Sequence, residues 1–269
     1  MIFLEIEKIK KINWYNLWIA RQVKELYKQT YEHHFYELKK RLQLSLAFLL
    51  GAFIFSYLQK KRLGFILIKP LNHASQHLDL IYTALPESFL AYLKISLFTA
   101  LVLSIPFFSY QAYLFISPGL HNFEKKFFKI ICLCIPILFW SACFFVYFCI
   151  IPIVCKFFLS FGIKEGFHVL FQGKIEEYFS FITNLMLIFG VVFQLPIALI
   201  VLFLLKIITL QGMIEKRRIF IVTTFVIGGI LTPPDVITQI MMAMPMCLLY
   251  ETAIIFCKKV KSKEQKTDI

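Results

Sequence analysis

Unbroken apolar runs, each closed by a short charged cluster, recur along almost the whole chain. They predict six membrane-spanning α-helices, at Leu42–Leu58, Phe89–Tyr110, Lys129–Val154, Tyr178–Leu205, Ile219–Leu231 and Val236–Phe256. A membrane β-barrel would instead alternate apolar and polar residues in segments of about ten. The fifth run is short. Its length reaches only about 20 Å as a helix, against a hydrocarbon core of about 30 Å. It cannot run on into the sixth, because Pro233 and Pro234 lack an N–H and disfavour helix before themselves. "LTPPDVITQIMMAMPMCLLYE" (231–251) therefore reads as a tight hairpin between two membrane helices, with Asp235 capping the positive N-terminal end of the sixth. Glu251, which closes that run, has no role from pattern alone.

Composition agrees with this class and adds little to it. The 269 residues are 59% hydrophobic and 17% aromatic, with mean hydropathy +0.73, well above the 45–50% apolar content usual for a soluble domain. Charge adds the orientation. By the six-span reading, 21 Lys and Arg fall on the side of both termini and 7 on the other, with Lys94 inside the second span. That bias places both termini on the cytoplasm-equivalent side. The net charge of +13 then sits at membrane edges, where anionic lipid attracts it, and needs no nucleic acid. Residues 1–33 carry charges throughout and no continuous apolar segment, so no cleaved signal peptide is expected there. They read as an amphipathic extension lying at the headgroups. The domain reading is an extension at 1–33, a six-helix membrane domain at 34–257 and a basic tail at 258–269.

Chemistry-bearing sets are absent from the pattern. The seven cysteines sit in or beside apolar runs and read as small packing residues. His73 and His77 are four apart without a third ligand, so no metal site is expected. No nucleotide loop, nucleophile–base pair or zinc-protease motif appears, so neither a cofactor nor an enzyme is expected. What remains are polar groups in apolar surroundings. Glu37 lies in "HHFYELKKRL", Glu124 in "YQAYLFISPGLHNFEKKF" and Gln194 in "FGVVFQLP", two residues before Pro196. Read singly, the two acids pair with neighbouring bases, the Gln194 amide serves a carbonyl freed near the proline, and Lys94 snorkels to the interface.

Together with the 231–251 hairpin, these motifs resemble the TatC family, the multispanning subunit of the twin-arginine protein translocase. "HHFYELKKRL" is similar to its N-terminal H-x-x-E-L-R-x-R-L element, the second stretch to its first inner loop, and "FGVVFQLP" to its fourth-helix element. The resemblance covers the chain from about His34 to Glu251. It implies an all-α, glove-shaped fold of six spans with short fifth and sixth helices. It also implies recognition of twin-arginine signal peptides on folded cargo, with transport driven by the proton gradient.

Residue by residue, the resemblance implies signal-peptide binding by Glu37, Lys39, Arg41, Phe115 and Glu124. It implies partner-facing or intramembrane polar roles for Gln194 and Asp235. Two carboxylates on one face can take guanidinium groups in bidentate pairs. The implied partners are single-span TatA/TatB-type subunits, other copies of the chain, and the lipid bilayer. Lys39 departs from the family's usual arginine, and Gln194 stands where many members carry a titratable glutamate. Few glycines (10) beside many phenylalanines (31) resemble products of AT-rich organellar genomes. That ranks the mitochondrial inner membrane ahead of thylakoid and bacterial inner membranes. A proton-coupled small-solute transporter is the alternative reading, and it expects broken helices at paired positions of two halves.

Overall fold

A computed structural model describes residues 34–74, 80–120, 122–164, 173–231 and 236–267. Among these the chain is helical, and an isolated bridge between Ile81 and Lys174 is the only strand-like pairing. Helix α1 (His34–Leu58) is the first span. It is followed by α2 (Lys60–Ala74), α3 (Glu87–Ile116), α4 (Asn122–Phe145), α5 (Ile151–Lys164), α6 (Ile175–Val192), α7 (Leu195–Leu204), α8 (Leu210–Glu215), α9 (Arg217–Leu231) and α10 (Val236–Thr267). Among the described residues five stretches are long and apolar enough to cross a membrane: α1, α3, α4 running into α5, α6 with α7, and α10. The fifth run forms α9, whose 15 residues reach about 22 Å at 1.5 Å per residue. It falls short of a full crossing, as its sequence predicts.

Several boundaries differ from expectation, each for a local reason. The expected fourth span, Tyr178–Leu205, is two helices parted by a turn at Phe193 and Gln194. The third is one rod in which a π-helical turn, Val146–Ile150, sits just before Pro152. Proline cannot donate and crowds the preceding turn, and widening the helix there accommodates it. The segment between the first two spans is not a plain loop. It holds α2, whose buried side is Gly64, Leu67, Pro70 and Leu71. The last helix continues through 258–267, so most of the expected basic tail is helical.

The core lies where α2, α3, α4–α5 and α6 meet, around Ile95, Val146, Ile151, Phe179, Ile182 and Phe189. On α3 the buried residues Ser96, Ala100 and Ser104 recur at one-turn spacing, and small residues let neighbouring backbones approach closely. The Ser96 and Ser104 hydroxyls donate to the carbonyls of Tyr92 and Ala100, both at 2.7 Å, so neither is left unpaired. A smaller cluster of Met213, Tyr250, Ala253, Ile254 and Cys257 joins α8 to α10.

Prolines inside apolar helices leave a carbonyl four residues back without its usual donor. Two of these carbonyls are served from another helix. Pro106 frees Val102, whose oxygen accepts from Trp140 Nε1 at 3.2 Å. Pro70 frees Ile66, whose oxygen accepts from the Tyr147 hydroxyl at 2.7 Å. The Tyr178 hydroxyl donates to the next carbonyl along, Leu67, at 2.9 Å. Tyr147 and Tyr178 thus fasten α2 across the ends of the bundle.

Candidate functional site

Less exposed positions on α1 are Glu37, Arg41, Ser45, Leu49, Ala52, Phe53, Ser56 and Tyr57, a stripe at helical spacing that faces the rest of the chain. Glu37 and Arg41 occupy its N-terminal end, one turn apart, and Arg41 Nη2 donates to Glu37 Oε1. Lys39 lies between them in sequence but on the exposed side of the helix. The α1–α3 contact is fixed by Phe48 stacked on Phe107, with ring centroids 4.4 Å apart. Glu37 lies about 16 Å from Phe48 towards the start of α1, and Phe115 about 12 Å from Phe107 towards the end of α3. Both displacements point to the same end of the bundle, so the two residues stand at similar depth.

The chain then turns through Ser117–Gly119 and enters α4 at Asn122, which puts Glu124 in the first turn of that helix, at the same end. Tyr113 stacks with Phe128 at 6.3 Å and closes this corner, with Phe115 half-buried beside it. The recognition residues expected from sequence therefore gather at one end, Lys39 turned outward. Asp235 lies outside the described residues.

Gln194 has a defined environment. The turn at its position sends its own N–H to Val191 O at 3.0 Å, leaving the Gly190 carbonyl without its helical donor. Its side-chain Nε2 serves that carbonyl at 3.3 Å and reaches Ile135 O on α4 at 3.2 Å. The side-chain Oε1 is buried and has no partner among the described residues. Gly190 makes this approach possible. A Cβ there would meet the Phe139 ring at 2.3 Å, so any larger residue must push α6 away from α4. The amide thus serves a carbonyl freed by the turn, and ties two spans together as well.

Several other polar residues in apolar surroundings are paired. Lys94 does not simply snorkel; its Nζ donates to Glu176 at 2.6 Å and to the Ser180 hydroxyl at 2.9 Å, linking α3 to α6. Glu87 Oε2 accepts from Thr83 N at 2.7 Å, Thr83 Oγ1 at 3.1 Å and Ala84 N at 3.1 Å, which ties the preceding loop to the start of α3. Glu251 is within 2.9 Å of Arg217 Nε, and its neighbour Tyr250 stacks on Phe220 with centroids 4.0 Å apart. The Tyr250 hydroxyl donates to Met213 O at 2.8 Å. The acid that closes the 231–251 stretch therefore locks α10 to the start of α9. Across the same hairpin, Gln239 Nε2 donates to Phe225 O at 2.9 Å, close against Gly229.

Sequence reasoning missed Trp140, Tyr147 and Tyr178 as pinning groups. The available signal was the prolines, since each implies a donor elsewhere. Among the described residues no cluster of His, Cys, Asp or Glu has the arrangement of a metal site. The seven cysteines are free thiols.

The chain is similar to known proteins. Residues 33–245 match the family described as Sec-independent protein translocase protein (TatC). The Sec-independent protein translocase protein TatC of Rickettsia prowazekii is 40% identical over 87% of this chain and 94% of its own length. A TatC-like protein of Reclinomonas americana is 33% identical over 86% of this chain and 87% of its own. A crystal structure of a twin-arginine translocase receptor TatC in DDM superposes with a TM-score of 0.70 at 34% identity, covering 83% of this chain and 98% of that one. On the family match, these identities and the overall superposition, the chain belongs to the TatC family of integral membrane subunits of the Sec-independent protein translocase.

Proposed function

We propose that this translocase subunit is the receptor for twin-arginine signal peptides, and that Glu37 and Glu124 take the paired guanidinium groups of the cargo. The observation that carries the reading is the placement of Glu37. It sits on the inward face of α1, at the depth of Phe115 and the start of α4, in a pair with Arg41. A pair spaced i,i+4 along a helix contributes only about 0.3–0.5 kcal/mol. An incoming guanidinium that engages the same carboxylate bidentately gains more, since charge-assisted hydrogen bonds contribute about 1.5–3 kcal/mol each. Arg41 thus holds the Glu37 carboxylate in place until a signal displaces it. Phe115 offers the apolar surface beside the pair, and exposed Lys39 faces headgroups.

The same reading puts both termini on the inner side of the membrane, in keeping with the 21-to-7 division of Lys and Arg. The phenylalanine-rich, glycine-poor composition favours a mitochondrial inner membrane. Binding and transport, with no bond made or broken by this chain, are the activity. The proton gradient acts through groups other than Gln194, whose amide does not titrate. Single-span TatA/TatB-type partners and further copies of this chain complete the machine. The short α9 thins the bilayer locally where such a partner must itself disturb it. For Gln194 to meet a partner its buried Oε1 must first be uncovered, because both of its observed bonds are donated within the chain. Photo-crosslinking of a twin-arginine signal peptide to the assembled wild-type, Glu37→Gln and Glu124→Gln chains tests the receptor role. Crosslinks should fall in both variants, and wild-type yields from both would return these acids to local ion pairing.

A further inference from the structure

We infer that the outward face of α2, with the cleft at its start, is a binding site for an anionic phospholipid on the side of the membrane opposite the basic termini. Helix α2 follows directly on the end of the first span, so it lies where headgroups begin. Its exposed residues are Lys61, Arg62, Phe65, Ile66, Lys69 and Asn72, one continuous helical face. Cations at Lys61, Arg62 and Lys69 flank two large apolar side chains, Phe65 and Ile66, which are 72% and 51% exposed. This face cannot turn inward, because the opposite side is held by Tyr147 on Ile66 O and Tyr178 on Leu67 O.

At the N-terminal end of α2 a cleft of about 560 Å³ is lined by Phe55, Leu58, Gln59, Lys60, Lys61 and Arg62. Three consecutive cations share it, and no lining residue is acidic. Lys60 Nζ stands 4.1 Å over the Tyr57 ring, and Arg62 Nη1 donates to Gln59 at 3.4 Å. Among the described residues no carboxylate pairs with any of the three. A bare anion would need the cations alone. Leu58 (79% exposed), Phe55, Phe65 and Ile66 add the apolar surface that an acyl chain covers, so the combination fits a phosphate headgroup with its chains. The charge also runs against the general bias of the chain, whose other strong basic clusters lie on the side of the termini.

The test uses the full chain in bilayers of dioleoylphosphatidylcholine doped with photoactivatable phosphatidylglycerol or photoactivatable phosphatidylcholine, with crosslinked sites mapped by peptide mass spectrometry. Phosphatidylglycerol crosslinks should concentrate at residues 55–66 relative to sites elsewhere on the same molecules, and phosphatidylcholine crosslinks should not. A juxtamembrane cation raises binding to anionic lipid by about fivefold. Each of Lys60→Gln, Lys61→Gln and Arg62→Gln should therefore lower crosslinking at this segment several-fold, and the triple variant by at least about tenfold. The single variants carry the test if the triple is not recovered folded. Unchanged crosslinking at 55–66 in the variants, or equal labelling by the two lipids, overturns the proposal. Displacement of the phosphatidylglycerol by millimolar inorganic phosphate also overturns it, because the site would then read a free anion.

Discussion

Replacing Tyr147 with phenylalanine removes one oxygen and little else, and that oxygen serves a carbonyl with no other helical donor. Ile66 O accepts from the Tyr147 hydroxyl at 2.7 Å, and the residue four positions on is Pro70, which has no N–H to offer. Interhelical hydrogen bonds in membrane proteins contribute about 0.6 kcal/mol on average and up to about 2. An acceptor left wholly unserved away from water costs about 1–3 kcal/mol. Because Ile66 is half exposed at the end of the bundle, the lower part of that range applies, and Tyr147→Phe should cost about 1 kcal/mol. In thermal unfolding of the detergent-solubilised chain this is a fall in Tm of about 2–4 °C. The Tyr178 bond to Leu67 at 2.9 Å keeps α2 docked in the variant, so the loss is local. The decisive arm is a double-mutant cycle. In a Pro70→Ala background the restored N–H at position 70 serves Ile66, and Tyr147→Phe should then cost less than about 0.5 kcal/mol, the limit of ordinary additivity. Equal losses in both backgrounds would show that the hydroxyl acts by packing alone and would refute the pairing of proline with donor.

Gly190→Ala should destabilise by about 1–3 kcal/mol, because its Cβ would stand 2.3 Å from the Phe139 ring; Phe139→Leu in the same chain should recover part of the lost Tm. Gln194→Leu leaves the Gly190 carbonyl unserved and removes the tie to Ile135 O on α4, and should cost about 1 kcal/mol in unfolding, whereas Gln194→Glu should keep transport. If crosslinking of Gln194→Leu to single-span partners stays normal while stability falls, the side chain acts only within this chain. Single cysteines in the 1–33 segment and at the exposed Asn72, next to Leu71, should label from opposite faces of sealed vesicles; equal accessibility would overturn the six-span orientation.

The spans were legible because apolar runs of membrane length have few other uses. The short fifth helix could be read from its residue count and the double proline that ends it. Helix α2 was hidden for the opposite reason. Its buried side is only Gly64, Leu67, Pro70 and Leu71, and the lysines and arginine around them read as a loop. The break at Phe193 and Gln194 was half visible, since Pro196 announced a disturbance but not the turn two residues earlier. Glu251 drew attention as a charge closing an apolar run, yet its partner Arg217 lies on another helix and no local spacing points to it. The same is true of Trp140 on Val102 and Tyr147 on Ile66. A proline states that a carbonyl is free, and only the fold states which donor reaches it. At the N-terminal end of α1, the Glu37–Arg41 pair follows from i,i+4 spacing. The outward turn of Lys39 follows from the same periodicity once the inward stripe of α1 is known.

The central claim is that two carboxylates at the inner end of α1 and α4 read a pair of arginines. The most direct test is the equilibrium binding of a labelled signal peptide, carrying either Arg-Arg or Lys-Lys, to the wild-type, Glu37→Gln and Glu124→Gln chains in bilayer discs. Loss of one charge-assisted contact of about 1.5–3 kcal/mol weakens binding by about 10- to 100-fold. Each variant should therefore lose that much affinity for the Arg-Arg peptide. Each should also lose preference for it over Lys-Lys, because a planar fork no longer meets a matching carboxylate. Unchanged Kd values and an unchanged Arg-over-Lys preference in both variants would contradict the assignment of these residues as the receptor site.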